Sequence, residues 1–419
     1  MIFFSYKQNN LYGEEVLLSN LVEKFGTPLY VYTYTGLREQ FTRFDQSFAG
    51  VDHLICYSMK ANSNRALLRT FVKEGSGIDV VSGGELTRAL LAGCPANRIV
   101  FSGVGKSSQE IEQAIRAGIL QFNVESIEEL GVIDQLGQKL NKKAPVAIRV
   151  NPDVDPKTHA YISTGLKKSK FGISHEKARG LYQKAAQMKG ITVTGVDCHI
   201  GSQLTTVEPF VEALRKIKGL VADILSDGIP LKNLDIGGGL GIIYKDETPP
   251  TPEDYASAIK KELAGLKIRL LLEPGRFLVG NGGVLLTKVL YNKERDAKKF
   301  MVVDAASNDL MRPSLYGAYH HIQPLISHDD REEIEVDIVG PICETGDFLA
   351  QGRKIKRVLP GEALAIMSAG AYGYSMSSNY NSRPRPMEVM VKGKEFFVVN
   401  EREKLEELIK GEKIPDFLE

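Results

Sequence analysis

Leu54-Ile55-Cys56-Tyr57-Ser58-Met59-Lys60-Ala61-Asn62 begins as an apolar, β-rich run and reaches a lysine, after which Ser63-Asn64-Arg65 opens a helical-looking segment. Such a unit, a strand handing its last side chain to a loop and then to a helix, recurs along the chain. The later apolar runs are Ile78–Ser82, Ile99–Ser102, Gln121–Glu125, Val146–Asn151, Thr194–Ser202, Leu234–Gly239 and Ile268–Arg276. Amphipathic segments such as Gln109–Ile115 and Pro209–Arg215 lie between them. Eight units over about 240 residues predict a parallel sheet closed into a (β/α)8 TIM-type barrel spanning 37–280. The alternative for the same alternation is an open doubly wound sheet.

Beyond Arg276 the texture changes. Val284–Tyr291, Lys299–Asp304, Glu333–Gly340 and Val389–Val399 read as strands separated by glycine and charged residues, with few helices between them. The fold class is therefore α/β plus β: the barrel, and a second, mostly β domain of sandwich or barrel type. Residues 1–36 and 281–419 are assigned to that domain, with a C-terminal extension. Residues 1–34 read as an extended arm in which Leu29-Tyr30-Val31-Tyr32-Thr33-Tyr34 has strand composition. Glu401–Lys410 carries a helical pattern through Leu405, Leu408 and Ile409.

The 419 residues are 43% apolar and 25% charged, ordinary for a globular protein. A formal net charge of +1 points to neither nucleic acid nor membrane as a partner. No apolar run approaches the roughly 20 residues of a membrane span, and Met1–Lys7 lacks the pattern of an export signal. Cys56, Cys94, Cys198 and Cys343 are widely spaced, which suggests neither a zinc site nor a disulfide framework. A reduced cytoplasm is the expected location.

Barrels of this kind place chemistry at the C-terminal ends of their strands. Here those ends carry Lys60, Asp79 with Ser82, Ser102, Glu125, Arg149 with Asn151, His199 with Ser202, Gly237–Gly239, and Glu273 with Arg276. Each has a plain explanation taken alone: a surface lysine, a backbone-satisfied histidine, a tight glycine turn, a turn at Glu273-Pro274-Gly275-Arg276, and polar strand ends. Gathered at one rim, they are the parts of a site for an anionic cofactor that forms an imine. A lysine at such a mouth can lose solvent, drop its pKa and attack a carbonyl as a free amine. Gly237-Gly238-Gly239-Leu240-Gly241 lets backbone N–H groups close on a phosphate, beside the loops after strands 7 and 8 where such barrels seat one. The Ser202 hydroxyl suits phosphate, and a neutral His199 imidazole suits an aromatic ring.

Seven motifs carry a family resemblance over nearly the whole chain: YSMKAN (57–62), DVVSGGEL (79–86), HIGSQ (199–203), GGGLG (237–241), EPGR (273–276), CETGD (343–347) and GAYGYSMSSNYNSRPRP (370–386). With them the chain resembles the fold-type III pyridoxal-phosphate decarboxylases, whose barrel is alanine racemase-like, and within them the branch acting on meso-2,6-diaminopimelate. The resemblance implies pyridoxal 5'-phosphate as cofactor, with Lys60 forming the imine and His199 against the ring. Asp79, Ser202, Gly237, Gly238, Gly239, Glu273, Pro274, Gly275 and Arg276 belong to the cofactor set. Tyr372 reaches the cofactor from the second domain and also belongs to the substrate set. Glu273 as a carboxylate would keep the ring nitrogen protonated, where a racemase is expected to place arginine.

By the same resemblance Cys343 returns a proton to the carbon that loses carbon dioxide, and Glu344 binds a substrate ammonium. Arg276, Arg312 and Tyr316 bind the distal carboxylate. Cys343 and Glu344 would enter a neighbouring subunit's site, which implies a homodimer. A buried inert cysteine and a surface arginine are the plain alternatives for Cys343 and Arg312. The implied reaction is decarboxylation of meso-2,6-diaminopimelate to L-lysine. Rival readings are action on carboxynorspermidine, ornithine or arginine, the last two disfavoured by Arg312. An inactive cofactor-binding regulator is a further rival, disfavoured by the presence of both Lys60 and Cys343. Thr345 stands where relatives often carry serine and keeps the hydroxyl.

Overall fold

The structure, a computed structural model, describes residues 3–155, 170–296 and 298–418. It divides into two compact units, one of residues 38–243 and 247–278, the other of 1–37, 244–246 and 279–419.

The first unit is a barrel. Its strands are β1 (His53–Ser58), β2 (Gly77–Val80), β3 (Ile99–Phe101), β4 (Gln121–Val124), β5 (Ala144–Asn151), β6 (Ile191–Asp197), β7 (Asn233–Asp235) and β8 (Arg269–Leu272). Each pairs in parallel with its neighbour in the chain. The β8–β1 pairing, Leu270 opposite His53 through Leu272 opposite Ile55, closes the ring and rules out the open sheet. A two-residue strand, Ile173–Ser174, adds to β5. Parallel strands covered on both faces read as continuous apolar runs because neither face meets water. Leu54, Cys56, Val100 and Leu271 accordingly form a buried cluster with Leu120 against it.

Helices follow the strands, and their starts are written in the sequence. Asn64 caps Arg65–Lys73 by accepting from the Ala66 N–H at 2.9 Å. Ser82 caps Gly83–Leu91, Ser107 caps Ser108–Ala117, Ser126 caps Ile127–Lys139 and Thr251 caps Pro252–Leu263. The expected segment Pro209–Arg215 lies inside the longer helix Glu208–Ser226.

The second unit is built on a sheet with strands in the spatial order Phe348–Lys356, Glu333–Val339, Lys298–Val303, Gly283–Arg295, Leu29–Thr33, Met387–Lys392 and Glu395–Asn400. Ala363–Ile366 pairs with Gly283–Arg295 and with Ile322–Pro324. Leu29–Thr33 lies between Gly283–Leu286, antiparallel, and Met387–Val391, parallel. Leu11, Leu18, Leu29, Val31, Val284, Leu286 and Val389 share one buried cluster. The N-terminal arm is not simply extended. It forms three short strands, then an α-helix over Leu18–Phe25, because Leu18, Leu21 and Val22 fall on one helical face and are buried. The segment expected over Val389–Val399 is two strands, turned at Gly393 with φ +56°. The helix Leu405–Ile409 leaves Leu405 and Ile409 exposed. Among the described residues, no helix is long and apolar enough to cross a membrane.

Candidate active site

β1 ends at Ser58, and Lys60 stands in the one-turn helix Met59–Ala61 immediately beyond it. Asn62 and Asn64 fold the chain back: the Asn62 side chain accepts from the Asn64 N–H at 3.0 Å, and the Tyr57 hydroxyl donates to the Asn62 carbonyl at 2.9 Å. The Asp79 carboxylate, fully buried at the end of β2, accepts from Ser58 Oγ at 2.7 Å and Lys60 Nζ at 3.4 Å. The Lys60 side chain keeps 42% exposure, since a strand that stops at Ser58 leaves it in the loop rather than between strands.

The glycine run after β7 passes between two loops. A Cβ on Gly237 would stand 2.7 Å from His199 Nδ1, one on Gly238 2.2 Å from the Glu273 carbonyl, and one on Gly239 2.6 Å from the Gly201 carbonyl. Gly237 and Gly239 also have φ of +65° and +125°. Only a run without side chains fits there, so its backbone lines the rim. The loop after β8 is fastened on both sides: the Glu273 N–H donates to the Gly237 carbonyl at 2.8 Å, and the Ser58 N–H to that of Pro274 at 3.1 Å. Arg276, nearly buried, donates from Nε and Nη2 to Ser202 Oγ at 3.4 and 3.3 Å. A backbone turn, a guanidinium and a hydroxyl thus converge, groups whose chemistry suits an anion.

His199 is partly buried by its surface. Burial, then the Arg149 guanidinium and the Lys60 ammonium, hold its imidazole well below the usual range, so the ring is neutral at pH 7. Burial and the adjacent Asp235 push the Glu273 carboxyl well above the ordinary carboxylate range. Glu273 accepts from Ser102 Oγ at 3.3 Å and Asn123 Nδ2 at 3.2 Å, and Asn123 also donates to Asp235 at 3.2 Å. Gln121 Nε2 donates to Asn123 Oδ1 and accepts at Oε1 from Asn233, each at 2.9 Å. A buried polar column therefore crosses the barrel interior and ends on Glu273. Arg149 pairs with Glu125 at 2.7 Å and lies 3.9 Å from Asp197, joining the ends of β5, β4 and β6. Reading the residues singly did not pick out Asn123, Asp197 or Asp235. Their only signal is a polar residue inside an otherwise apolar run.

In the second unit, Asp347 anchors the CETGD loop. Nearly buried, it accepts from the Ile342 and Ser307 N–H groups at 2.8 and 2.7 Å, and Ser314 Oγ donates to the Gly346 carbonyl at 2.7 Å. The anchor leaves Cys343 and Glu344 exposed; all four cysteines are free thiols, and the other three are buried. The Cys343 N–H donates to Asn381 Oδ1 at 2.9 Å, and Glu344 raises the Tyr380 hydroxyl through its charge and a hydrogen bond. Tyr380 and Asn381 belong to the quoted GAYGYSM segment but carried no assigned role. Tyr372 has φ +56°, uncommon for a residue with a side chain. Arg312 opens the short helix Arg312–Tyr316 and is nearly buried, which excludes the surface reading. Its Nη1 donates to His320 Nε2 at 2.8 Å, and its guanidinium lies 4.5 Å over the Tyr244 ring.

The barrel's donor set suits a phosphorylated aromatic aldehyde: an accessible amine, a glycine cradle with Arg276 and Ser202, a neutral imidazole and a buried carboxyl. Residues 35–280 match the pyridoxal-dependent decarboxylase, pyridoxal binding domain family. The chain is 50% identical over 402 residues to the diaminopimelate decarboxylase of Neisseria meningitidis, covering 96% of this chain and 97% of the relative. It is 48% identical over 411 residues to that of Pseudomonas aeruginosa, covering 98% and 99%. The crystal structure of diaminopimelate decarboxylase from M. jannaschii in co-complex with L-lysine matches with TM-score 0.95 and 41% identity over 100% of both chains. By family match and by full-length identity alike, the chain belongs to the diaminopimelate decarboxylase family of pyridoxal-dependent decarboxylases.

Proposed function

We propose that the protein is a pyridoxal-phosphate-dependent carboxy-lyase converting meso-2,6-diaminopimelate to L-lysine and carbon dioxide. The observation that carries this reading is the barrel rim, where Lys60, Glu273, His199 and the Arg276–Ser202 pair surround a glycine turn in a chain of this family. The bound cofactor supplies an electron sink for the pair left when carbon dioxide departs.

In this reading the remaining tasks fall to the chain. Lys60, oriented by Asp79, would hold the cofactor through its amine. Gly237, Gly238, Gly239, Ser202 and Arg276 bind the phosphate, and Pro274 and Gly275 set the loop that places Arg276. His199, neutral, packs on the ring. Glu273, shielded from water beside Asp235, would hold the ring nitrogen, its carboxylate favouring the protonated nitrogen through opposite charge. Arg276, Arg312 and Tyr316 bind the distal carboxylate, Glu344 binds the distal ammonium, and Tyr372 contacts cofactor and substrate. Cys343 gives its Sγ proton to the carbon that lost carbon dioxide and is reprotonated from solvent. The reading includes a cytoplasmic homodimer in which Cys343 and Glu344 of one subunit serve the other's site.

The test is carbon dioxide release from meso-diaminopimelate by cofactor-loaded protein, with ornithine and arginine in parallel. Release from diaminopimelate alone is expected. Release from ornithine instead would remove the arginine argument while keeping the barrel chemistry. Lys60→Ala should lose the absorbance of the lysine-bound cofactor and lower turnover by about 1,000-fold; undiminished turnover would overturn the assignment.

A further inference from the structure

We propose that His320 is a positioning residue: its Nε2 lone pair, with the Tyr244 ring, aims the Arg312 guanidinium, and thereby sets the preference for substrates with a distal carboxylate. The inference rests on the reading above that Arg312 holds that carboxylate.

His320 is fully buried and bonded at both ring nitrogens. Nδ1 lies 2.8 Å from the Met367 carbonyl, and Nε2 lies 2.8 Å from Arg312 Nη1. A carbonyl only accepts, so Nδ1 carries the hydrogen; a guanidinium only donates, so Nε2 must offer a lone pair. The partners therefore admit one state, the neutral Nδ1–H tautomer. A proton on Nε2 would break the bond and set two cations face to face.

The histidine is itself fixed. Arg353 Nη1 donates to the His320 carbonyl at 2.8 Å, and the Arg353 guanidinium stacks 4.1 Å from the Tyr319 ring. The Tyr244 ring meets His320 edge-on, centroids 5.4 Å apart at 76°, while its face lies 4.5 Å from the Arg312 guanidinium. Arg312 is thus held at one end by an acceptor and across one face by a ring. A planar fork pre-set in this way loses little freedom on meeting a carboxylate, and planar recognition is what distinguishes a carboxylate from a bare ammonium tail. A histidine that only filled space would not need an acceptor facing the arginine.

The test uses the cofactor-loaded full chain and two ligands: L-lysine, which keeps the carboxylate-bearing centre, and cadaverine, the same chain without it. Binding is followed by the cofactor's absorbance change. In the unaltered protein L-lysine should bind more tightly than cadaverine. His320→Leu, apolar and without an acceptor, should weaken L-lysine by about tenfold and leave cadaverine within about twofold. His320→Gln, whose amide oxygen can accept from Arg312, should restore most of the L-lysine affinity. Should the leucine variant not fold, His320→Asn, whose amide falls short of Arg312, takes its place with the same expectation. Arg312→Met should lower the preference, and adding His320→Leu to it should cost nothing more. If Arg312→Met lowers the preference and His320→Leu does not, or if His320→Leu weakens both ligands equally, the positioning role is wrong. If Arg312→Met itself leaves the preference intact, the fault lies with the carboxylate reading.

Discussion

Asp235 and Glu273 end neighbouring strands inside the ring, where water cannot stabilise two negative charges. Burial first, and then the nearby Asp197 charge, push Asp235 up from 3.8 to about 7. A carboxyl whose folded pKa is raised binds protons more tightly folded than unfolded. Its stabilisation is complete below about pH 4 and is lost as pH rises towards about 7. Cofactor-free protein should therefore become easier to unfold between pH 4.5 and 8, and Asp235→Asn should reduce that slope. Denaturant titrations across the range decide it; a slope as steep in the variant would remove Asp235 from the account. The sequence exposed Lys60, Glu273 and Arg276 because each closes an apolar run within a recognisable motif. Asp235 and Asn123 stayed hidden, since whether a strand residue faces the ring's interior is decided only when β8 meets β1.

Helix starts show how one side chain can serve two elements. Glu110 completes a capping box with Ser107, accepting from its N–H at 2.9 Å while Ser107 Oγ accepts from the Glu110 N–H at 3.3 Å. Its other oxygen accepts from the Gly83 N–H at 2.7 Å, at the start of the preceding barrel helix. Glu110→Ala strips acceptors from two helix termini at once and should cost about 1–2 kcal/mol in chemical denaturation. A loss below about 0.5 kcal/mol would show that water replaces it. The Gly83 and Ser107 contacts hold Glu110 below the ordinary carboxylate range, so this contribution fades as pH falls. Helix Ser108–Ala117 was legible from the period of Gln109–Ile115, whereas Leu18–Phe25 was not. Its eight residues follow directly on strand residues Val16–Leu17, too short a window for helical spacing to outweigh β-like composition. Phe348–Lys356 was missed for the opposite reason, because Gly352, Arg353, Lys354 and Lys356 resemble a turn.

At the scale of the whole molecule, the proposed sharing of sites between subunits makes a quantitative demand. Lys60→Ala and Cys343→Ala proteins should each be inactive as homodimers. Mixed, dissociated and reassociated, they should regain about a quarter of normal activity, because half the dimers are mixed and each mixed dimer has one intact site of two. No recovery, with mixed dimers demonstrated by mass, would place Cys343 in its own subunit's site. The full ring was the most legible feature of all, since its strands repeat along the chain. The second sheet was less so, because it joins strands from opposite ends of the sequence.

That joining has a consequence during synthesis. Leu29–Thr33, all five residues buried in the finished sheet, finds its first partner at Gly283–Leu286 and its second only at Met387–Val391. At roughly 5–20 residues per second the ribosome leaves this stretch unpaired for on the order of tens of seconds. For that interval an aromatic, β-prone, uncharged segment is exposed on every nascent chain, a ready template for its neighbours on the same polysome. Its place so far ahead of both partner strands thus makes correct assembly of the sheet depend on keeping this segment from its neighbours until the last strand arrives.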